Sequence, residues 1–183
     1  GRAGWNLVTS ATDAEALNFN LQQQVPHHTR YERASEFVDV VRKLWDTWDD
    51  DAFVLDAESG RYYTPDKLHL INHQGEHYQV KGPLNVARAP QGHPVVFQAG
   101  ASEDGQWLAA RTAEAVYTAA QTKEAAQAYY RSLKSKVLAA GKAGRAQIIV
   151  AAEPQITQGI RAGLFEEPFY NVPRELGPYA YST

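Results

Sequence analysis

The chain has 183 residues, of which 44% are apolar and 21% charged, so it can bury one core and is neither disordered nor collagenous. Lys and Arg total 18 against 21 Asp and Glu, a net charge of -3 with no basic run, which excludes the pattern of a nucleic-acid or anionic-membrane binder. Cysteine is absent, which excludes disulfides and thiolate metal sites. No run of about 18 apolar residues occurs, and we expect a cytoplasmic protein.

The composition also predicts that the chain is a partial one. Methionine is absent, including the initiator, and the first eight residues run almost directly into a strand-like segment. We therefore expect residues 1–183 to form a single, incomplete domain.

Apolar runs of strand length alternate with helical patterns, which predicts βαβ units and a parallel sheet. The predicted strands are Trp5–Thr9, Pro94–Ala99, Glu114–Ala119 and Ala146–Ala152. The strongest helical pattern follows Thr29, where the Thr29–Glu32 segment predicts a capping box. One apolar face of this helix would carry Tyr31, Ala34, Phe37, Val38, Val41, Leu44, Trp45 and Trp48.

Two further helices follow. One should begin near Ser102 and end near Thr112. The next has Thr122 as its predicted N-cap. Gly141 stands just after its predicted end, where glycine readily adopts the left-handed conformation that ends many helices. Its apolar stripe would be Ala126, Tyr129, Tyr130, Leu133 and Val137.

Two segments do not follow this alternation of strands and helices. Residues 49–93 are interrupted every few positions by Gly, Pro or Asp and are predicted as an irregular insertion, with a short surface strand at His77–Lys81. Residues 153–183 are predicted as an irregular tail. Four strands and three helices amount to about half of a (β/α)8 TIM barrel, whose usual length is roughly 250 residues. A small open α/β sheet is the alternative.

Ser102 is a candidate for binding phosphate. It follows the buried strand and small-residue turn Val95–Ala101 and stands at a helix start. Free backbone N–H groups, the helix dipole and a hydroxyl together suit a phosphate there. The simpler interpretation is that Ser102 only caps its helix. A serine-hydrolase elbow is disfavoured because Gly105 comes one residue too late for G-x-S-x-G.

Histidines suggest two other sites. His27, His28 and Tyr31 stand at the start of the long helix, so two helix starts could converge on one phosphate. The simpler interpretation is that Tyr31 packs on the apolar face of the helix and the histidines are solvated. Three more, His69, His73 and His77, recur every four residues, but the turn-forming residues among them argue against a helix. We therefore predict no metal site. Neither a dinucleotide-binding fingerprint nor a P-loop occurs.

Several sequence blocks carry a family resemblance over about residues 1–145. In order they are Gly1–Ser10, Asp13–Ala16, Asn18–Phe19, His27–Tyr31, Phe37, Leu44–Trp45, Pro65–Lys67, Ile71–Gly75, Gly82–Leu84, Pro90–Gly92 and Gln98–Ser102. The chain resembles the flavin-dependent monooxygenases related to nitrilotriacetate monooxygenase component A, a group that includes dibenzothiophene-sulfone and long-chain-alkane monooxygenases.

The resemblance implies an oxidoreductase with a bacterial-luciferase-like TIM barrel. Such an oxygenase takes reduced FMN from a separate NADH-dependent flavin reductase, binds O2, forms a C4a-peroxyflavin and oxygenates a small organic substrate. The family's flavin-contacting histidine and tyrosine fall on His27 and Tyr31, and its phosphate-loop serine falls on Ser102. A homo-oligomer is expected.

The chain also departs from this family. Family members are about twice as long or more, and the upstream strands that supply an aspartate and a threonine to the flavin have no counterpart here. The sequence does not indicate the substrate. A non-catalytic partial barrel that binds a phosphorylated ligand or a partner chain is therefore the alternative to the oxygenase.

Overall fold

A computed structural model describes residues 2–120 and 122–141. In chain order, the elements are β1 (Gly4–Leu7), α1 (Asp13–Leu17), α2 (His27–Trp45), β2 (Phe53–Asp56), β3 (Arg61–Tyr63), a 3-10 turn (Pro65–Lys67), β4 (His73–Gln74), β5 (Gln79–Val80), β6 (Val95–Gln98), α3 (Glu103–Thr112), β7 (Ala115–Val116) and α4 (Lys123–Ala139). The predicted alternation of strands and helices is present. The fourth predicted strand, Ala146–Ala152, lies outside the described residues.

The central sheet is parallel, with strand order β1-β6-β7. Leu7 of β1 pairs with Gln98 of β6, which in turn pairs with Val116 of β7. Each strand is shorter than predicted, and β7 spans only two of the six residues expected from 114 to 119. The reason is that β7 pairs only with the last two residues of β6.

Helices α2, α3 and α4 pack on one face of this sheet and form two buried clusters with it. The first joins β1, α2, β6 and α3 through Leu7, Ala34, Val38, Val96 and Leu108. The second joins α3, β7 and α4 through Ala109, Ala110, Ala113, Val116, Leu133 and Val137. Burying one Val or Leu side chain contributes about 1.5–3 kcal/mol, so these clusters fix α2, α3 and α4 against the sheet.

The start of α2 corrects a prediction. The capping box at Thr29–Glu32 is wrong because α2 begins at His27 and its N-cap is Pro26. The Pro26 carbonyl accepts the first helical hydrogen bond, from Arg30 N at 3.0 Å, so Thr29 already lies inside the helix. A proline has no N–H to donate and a fixed φ, which makes it a suitable residue at the start of a helix. Consequently, His27 lies in the first turn and Tyr31 in the second.

The other two predicted helices are confirmed. Ser102 and Thr122 are the N-caps of α3 and α4, and their hydroxyl oxygens accept hydrogen bonds from Gly105 N and Ala125 N, each at 3.1 Å. Gly141 follows α4 with φ of +72°, the left-handed conformation expected of it. These caps satisfy donors that the first turn of a helix otherwise leaves free.

Residues between α2 and β6 form two small antiparallel sheets, β2–β3 and β4–β5, outside the parallel sheet. The strand predicted at 77–81 is β5 in shortened form. Glu36 of α2 fixes the β4–β5 hairpin because its carboxylate accepts hydrogen bonds from His73 Nε2 at 2.8 Å and from the His77 and Tyr78 N–H groups at 2.9 Å. Among the helices that the structure describes, none is long and apolar enough to cross a membrane.

Candidate functional site

The N-termini of α2 and α3 bring the three predicted site residues together. Ser102 Oγ and Tyr31 Oη each lie 3.1 Å from the position that a Cβ would take on Gly105, in the first turn of α3. The His27 and Tyr31 ring centroids are 4.8 Å apart. The two hydroxyl groups therefore face the same short stretch of backbone, with the imidazole beside them.

The first turn of α3 offers free hydrogen-bond donors. The N–H groups of Gly105 and Gln106 are bound by the Ser102 hydroxyl oxygen and carbonyl, at 3.1 and 2.9 Å. Those of Glu103 and Asp104 donate to no acceptor in the described part of the chain. Since Ser102 accepts through its oxygen, its own O–H remains able to donate. Capping the helix and binding an anion are therefore compatible roles for this serine.

A tightly packed glycine turn places Ser102. A Cβ on Gly100 would lie 2.9 Å from the Gly105 Cα and 2.7 Å from the Gln98 Nε2. A larger residue at position 100 would therefore displace this turn from the start of α3. Tyr129 of α4 donates a hydrogen bond to the Gly100 carbonyl at 3.0 Å. Burial, and secondarily the neighbouring Tyr31, raises the pKa of Tyr129, which keeps its hydroxyl protonated as a donor.

The sequence did not indicate this role for Tyr129. It was expected only as part of the apolar stripe of α4, and its ring does pack against the buried cluster formed with α3. Nothing in the local pattern distinguishes a tyrosine that packs from one that also donates to a turn 29 residues away in sequence.

Asp104 is a second residue that sequence reasoning missed. Its two carboxylate oxygens contact the Nδ1 atoms of His27 and His28, at 3.2 and 3.1 Å. The Nε2 of His28 also lies 3.4 Å from Glu32. The aspartate thus ties the start of α2 to the start of α3, and it places one negative charge beside the free N–H groups. When protonated, the two histidines offset this charge.

The site lies at the end of the sheet where parallel α/β folds bind ligands. Because β1 and β6 run in parallel with Leu7 opposite Gln98, the segments after them, ending in Ser10 and Ser102, leave the sheet at the same edge. A cavity of about 390 Å³ opens beside Ser10, between β1, α1 and α2.

His69 and His73, two of the remaining histidines, have different carboxylate partners. His69 Nε2 contacts Asp49 at 2.9 Å, whereas His73 contacts Glu36 at 2.8 Å. Among residues 2–120 and 122–141, no group of three or more His, Asp or Glu side chains is arranged to hold a metal ion.

The chain belongs to the luciferase-like monooxygenase family, which it matches over residues 1–160. It is 54% identical over 142 residues to nitrilotriacetate monooxygenase component A of Aminobacter aminovorans, and 50% identical over 142 residues to N-acetyl-S-(2-succino)cysteine monooxygenase of Bacillus subtilis. Each alignment covers 78% of this chain but only 31% and 32% of the relative. The chain therefore spans about a third of the length of these curated relatives.

Solved structures confirm the fold expected from the sequence. A crystal structure of long-chain alkane monooxygenase superposes with a TM-score of 0.72 at 34% identity, covering 80% of this chain and 34% of that one. A riboflavin lyase crystallised with modified FMN and riboflavin gives a TM-score of 0.74 at 34% identity, covering 81% and 33%. The chain is thus part of a luciferase-like TIM barrel, rather than a small open sheet, and the two curated relatives reported above are monooxygenases.

Proposed function

We propose that this chain is part of the oxygenase component of a two-component flavin monooxygenase that uses reduced FMN and O2. The observation that carries the proposal is the convergence of His27, Tyr31 and Ser102 on the first turn of α3. This convergence lies at the carboxyl edge of the parallel sheet, the end of a TIM barrel where active sites are built. Membership of the luciferase-like monooxygenase family supports the same conclusion.

The donors around α3 fit the phosphate of FMN. The Ser102 hydroxyl and the free N–H groups of Glu103 and Asp104 would donate to phosphate oxygens at the positive end of the helix dipole. The Tyr31 hydroxyl and the His27 imidazole would add donors from α2. Gly105 leaves room for this approach because a side chain there would meet both hydroxyl groups.

When bound, reduced FMN would supply the electrons that activate O2, so that one oxygen atom enters the substrate and the other leaves as water. The residues at the starts of α2 and α3 would hold its phosphate. Tyr129 would act indirectly, because its hydroxyl fixes the Gly100 carbonyl and with it the turn that presents Ser102.

The proposed partner is a separate NADH-dependent flavin reductase that binds transiently. The relatives include nitrilotriacetate monooxygenase component A, and also subunits A and B of pristinamycin IIA synthase, whose names describe multi-component enzymes. A homo-oligomer and a cytoplasmic location remain predictions.

The chemistry is tested by tracking oxygen. The chain is supplied with NADH, FMN and a flavin reductase, and oxygen consumption is compared with peroxide release in the presence of nitrilotriacetate or dibenzothiophene sulfone. An oxygenase releases less than one peroxide per O2 with an accepted substrate, and ¹⁸O from labelled O2 enters the product. If the chain binds FMN but all the oxygen appears as peroxide with every substrate, it acts as a non-catalytic flavin-binding module.

A further inference from the structure

One carboxylate and two imidazoles join the start of α2 to the start of α3. The two oxygens of Asp104 lie 3.2 Å from the Nδ1 of His27 and 3.1 Å from the Nδ1 of His28. The Asp104 side chain is only 29% exposed, so its charge is partly shielded from water. Both helices pack against β6, which has a strand on each side. The junction is therefore built by the described residues and does not lie at an open edge of the sheet.

The two histidines differ in what their other ring nitrogen meets. The Nε2 of His28 lies 3.4 Å from Glu32, so both of its nitrogens face carboxylates. The Nε2 of His27 has no ion-pair or hydrogen-bond partner in the described part of the chain. The neighbouring ring is that of Tyr31, whose hydroxyl faces the first turn of α3. His27 is therefore the histidine that can offer a nitrogen to a ligand held at this turn.

Two other charged groups near these helix starts are engaged elsewhere. The guanidinium of Arg30, on α2, donates to a carbonyl in the segment after β1. The carboxylate of Glu103, on α3, lies 3.1 Å from the Lys136 ammonium of α4. Asp104 is thus the carboxylate that contacts His27 directly, and it determines which nitrogen of that imidazole carries a proton.

The position of that proton decides what His27 can do for an anion. An ionised carboxylate only accepts hydrogen bonds, so the contact with Asp104 requires a proton on the Nδ1 of His27. A neutral imidazole carries a single proton, which leaves a lone pair on Nε2. This lone pair would face the oxygens of a phosphate, which are acceptors as well. The contact becomes favourable only when a further proton lies between them, either on Nε2 as imidazolium or on a phosphate oxygen.

We propose that Asp104 is a positioning residue that couples phosphate binding at the start of α3 to the uptake of a proton from solvent. It selects the Nδ1–H form of His27, so the neutral imidazole cannot donate to the phosphate whereas the protonated one can. This inference rests on the proposed function, because the phosphate is that of FMN. The chain therefore holds FMN more tightly in acidic than in alkaline solution, and the proton leaves when the flavin is released.

The tautomer is tested without flavin, by ¹⁵N NMR of the histidines above about pH 8, where an ordinary imidazole is neutral. In the parent, His27 carries its proton on Nδ1. In Asp104→Asn the Nε2–H form becomes populated, because an amide can donate to Nδ1 as well as accept from it. A proton found on the Nε2 of His27 in the parent would overturn the proposal before any flavin is added.

The coupling is tested by calorimetric titration with FMN and with riboflavin from about pH 7 to about pH 9, in two buffers of different ionisation enthalpy. A phosphate monoester is largely a dianion over this range, since its second pKa is about 6. The affinity of the parent for FMN falls about tenfold per pH unit, which is the linkage of one proton, while that for riboflavin stays constant. The difference between the two buffers measures the same proton directly.

Two variants assign this proton. Asp104→Asn loses most of the pH dependence and of the proton uptake, and at about pH 9 it binds FMN more tightly than the parent. Glu32→Gln is the matched control, because it removes a neighbouring carboxylate that contacts His28. It keeps the pH dependence of the parent. Circular dichroism shows that both variants are folded.

The titrations separate failure of this inference from failure of the proposed function. If the parent prefers FMN to riboflavin equally at every pH, the proton coupling is refuted and the flavin site stands. If the full pH dependence persists in Asp104→Asn, the proton belongs to another group and Asp104 has no positioning role. Equal affinities for FMN and riboflavin at every pH would refute the flavin site and this inference with it.

Discussion

Replacing Ser102 by Ala or by Asp separates its two roles, because the serine both caps α3 and faces the proposed phosphate. Ala removes the acceptor for Gly105 N, which costs about 1 kcal/mol of stability, and removes the donor to phosphate, worth about 1.5–3 kcal/mol. Asp is as good an N-cap as Ser, so Ser102→Asp should keep the parent melting temperature. It nevertheless adds a negative charge where the phosphate would bind.

The expected loss for Ser102→Asp follows from Coulomb's law. Two like charges about 4 Å apart repel by about 1 kcal/mol in water and about 4 kcal/mol near a protein surface. Ser102 is half-buried, so a loss of about 2 kcal/mol, or roughly thirtyfold in FMN affinity, is expected. Calorimetric titrations with FMN and riboflavin measure it, since riboflavin lacks the phosphate and should bind both variants like the parent. Equal losses for the two flavins, or an unchanged FMN affinity in Ser102→Asp, would refute the phosphate role.

Three further predictions concern single side chains. Tyr31→Phe should weaken FMN by about 1 kcal/mol in the same titration and leave the melting temperature unchanged, since the ring that packs against the buried cluster is kept; an FMN affinity equal to that of the parent would remove Tyr31 from the site. Tyr129→Phe should weaken FMN severalfold by releasing the glycine turn, whereas Tyr130→Phe, at a position 45% exposed, should bind FMN normally; identical behaviour would contradict the positioning role. Hydrogen bonds, led by that from a histidine, lower the pKa of Glu36 from 4.5 to about 2. Glu36 therefore stabilises the fold above its unfolded pKa and loses this effect as the pH falls. Between about pH 6 and about pH 3, the melting temperature should fall more steeply for the parent and for a Glu58→Gln control than for Glu36→Gln. Equal slopes would argue against a stabilising role for the hydrogen bonds between Glu36 and the β4–β5 hairpin.

The capping signals show how far local sequence determines this fold. Ser102 and Thr122 were correctly predicted as caps because each precedes an uninterrupted helical pattern. The Thr29–Glu32 segment has the threonine–glutamate spacing of a capping box, but α2 begins earlier, after Pro26. A capping box does form at Thr12–Glu15, ahead of the five-residue helix α1, where the apolar pattern is too short to predict a helix. The motif alone therefore does not determine where a helix begins, because a preceding residue such as Pro26 can start the helix earlier.

Contacts between elements explain what the sequence could not predict at the site. The helix starts bearing Tyr31 and Ser102 could be found from local patterns, and the family resemblance indicated that they share a ligand. The contacts of Asp104 with His27 and of Tyr129 with Gly100 join residues 77 and 29 positions apart in the chain. Such pairings depend on how α2, α3 and α4 pack on the sheet, and no spacing rule within one element encodes them.

The most direct test of the central claim is an anaerobic calorimetric titration of the chain with reduced FMN and, in parallel, with reduced riboflavin. If the first turn of α3 holds the phosphate, reduced FMN should bind at least tenfold more tightly than reduced riboflavin, the scale of one hydrogen bond to a charged group. Raising the salt concentration should narrow this difference, because the phosphate interaction is partly screened. Equal affinities for the two reduced flavins at every salt concentration would contradict the claim.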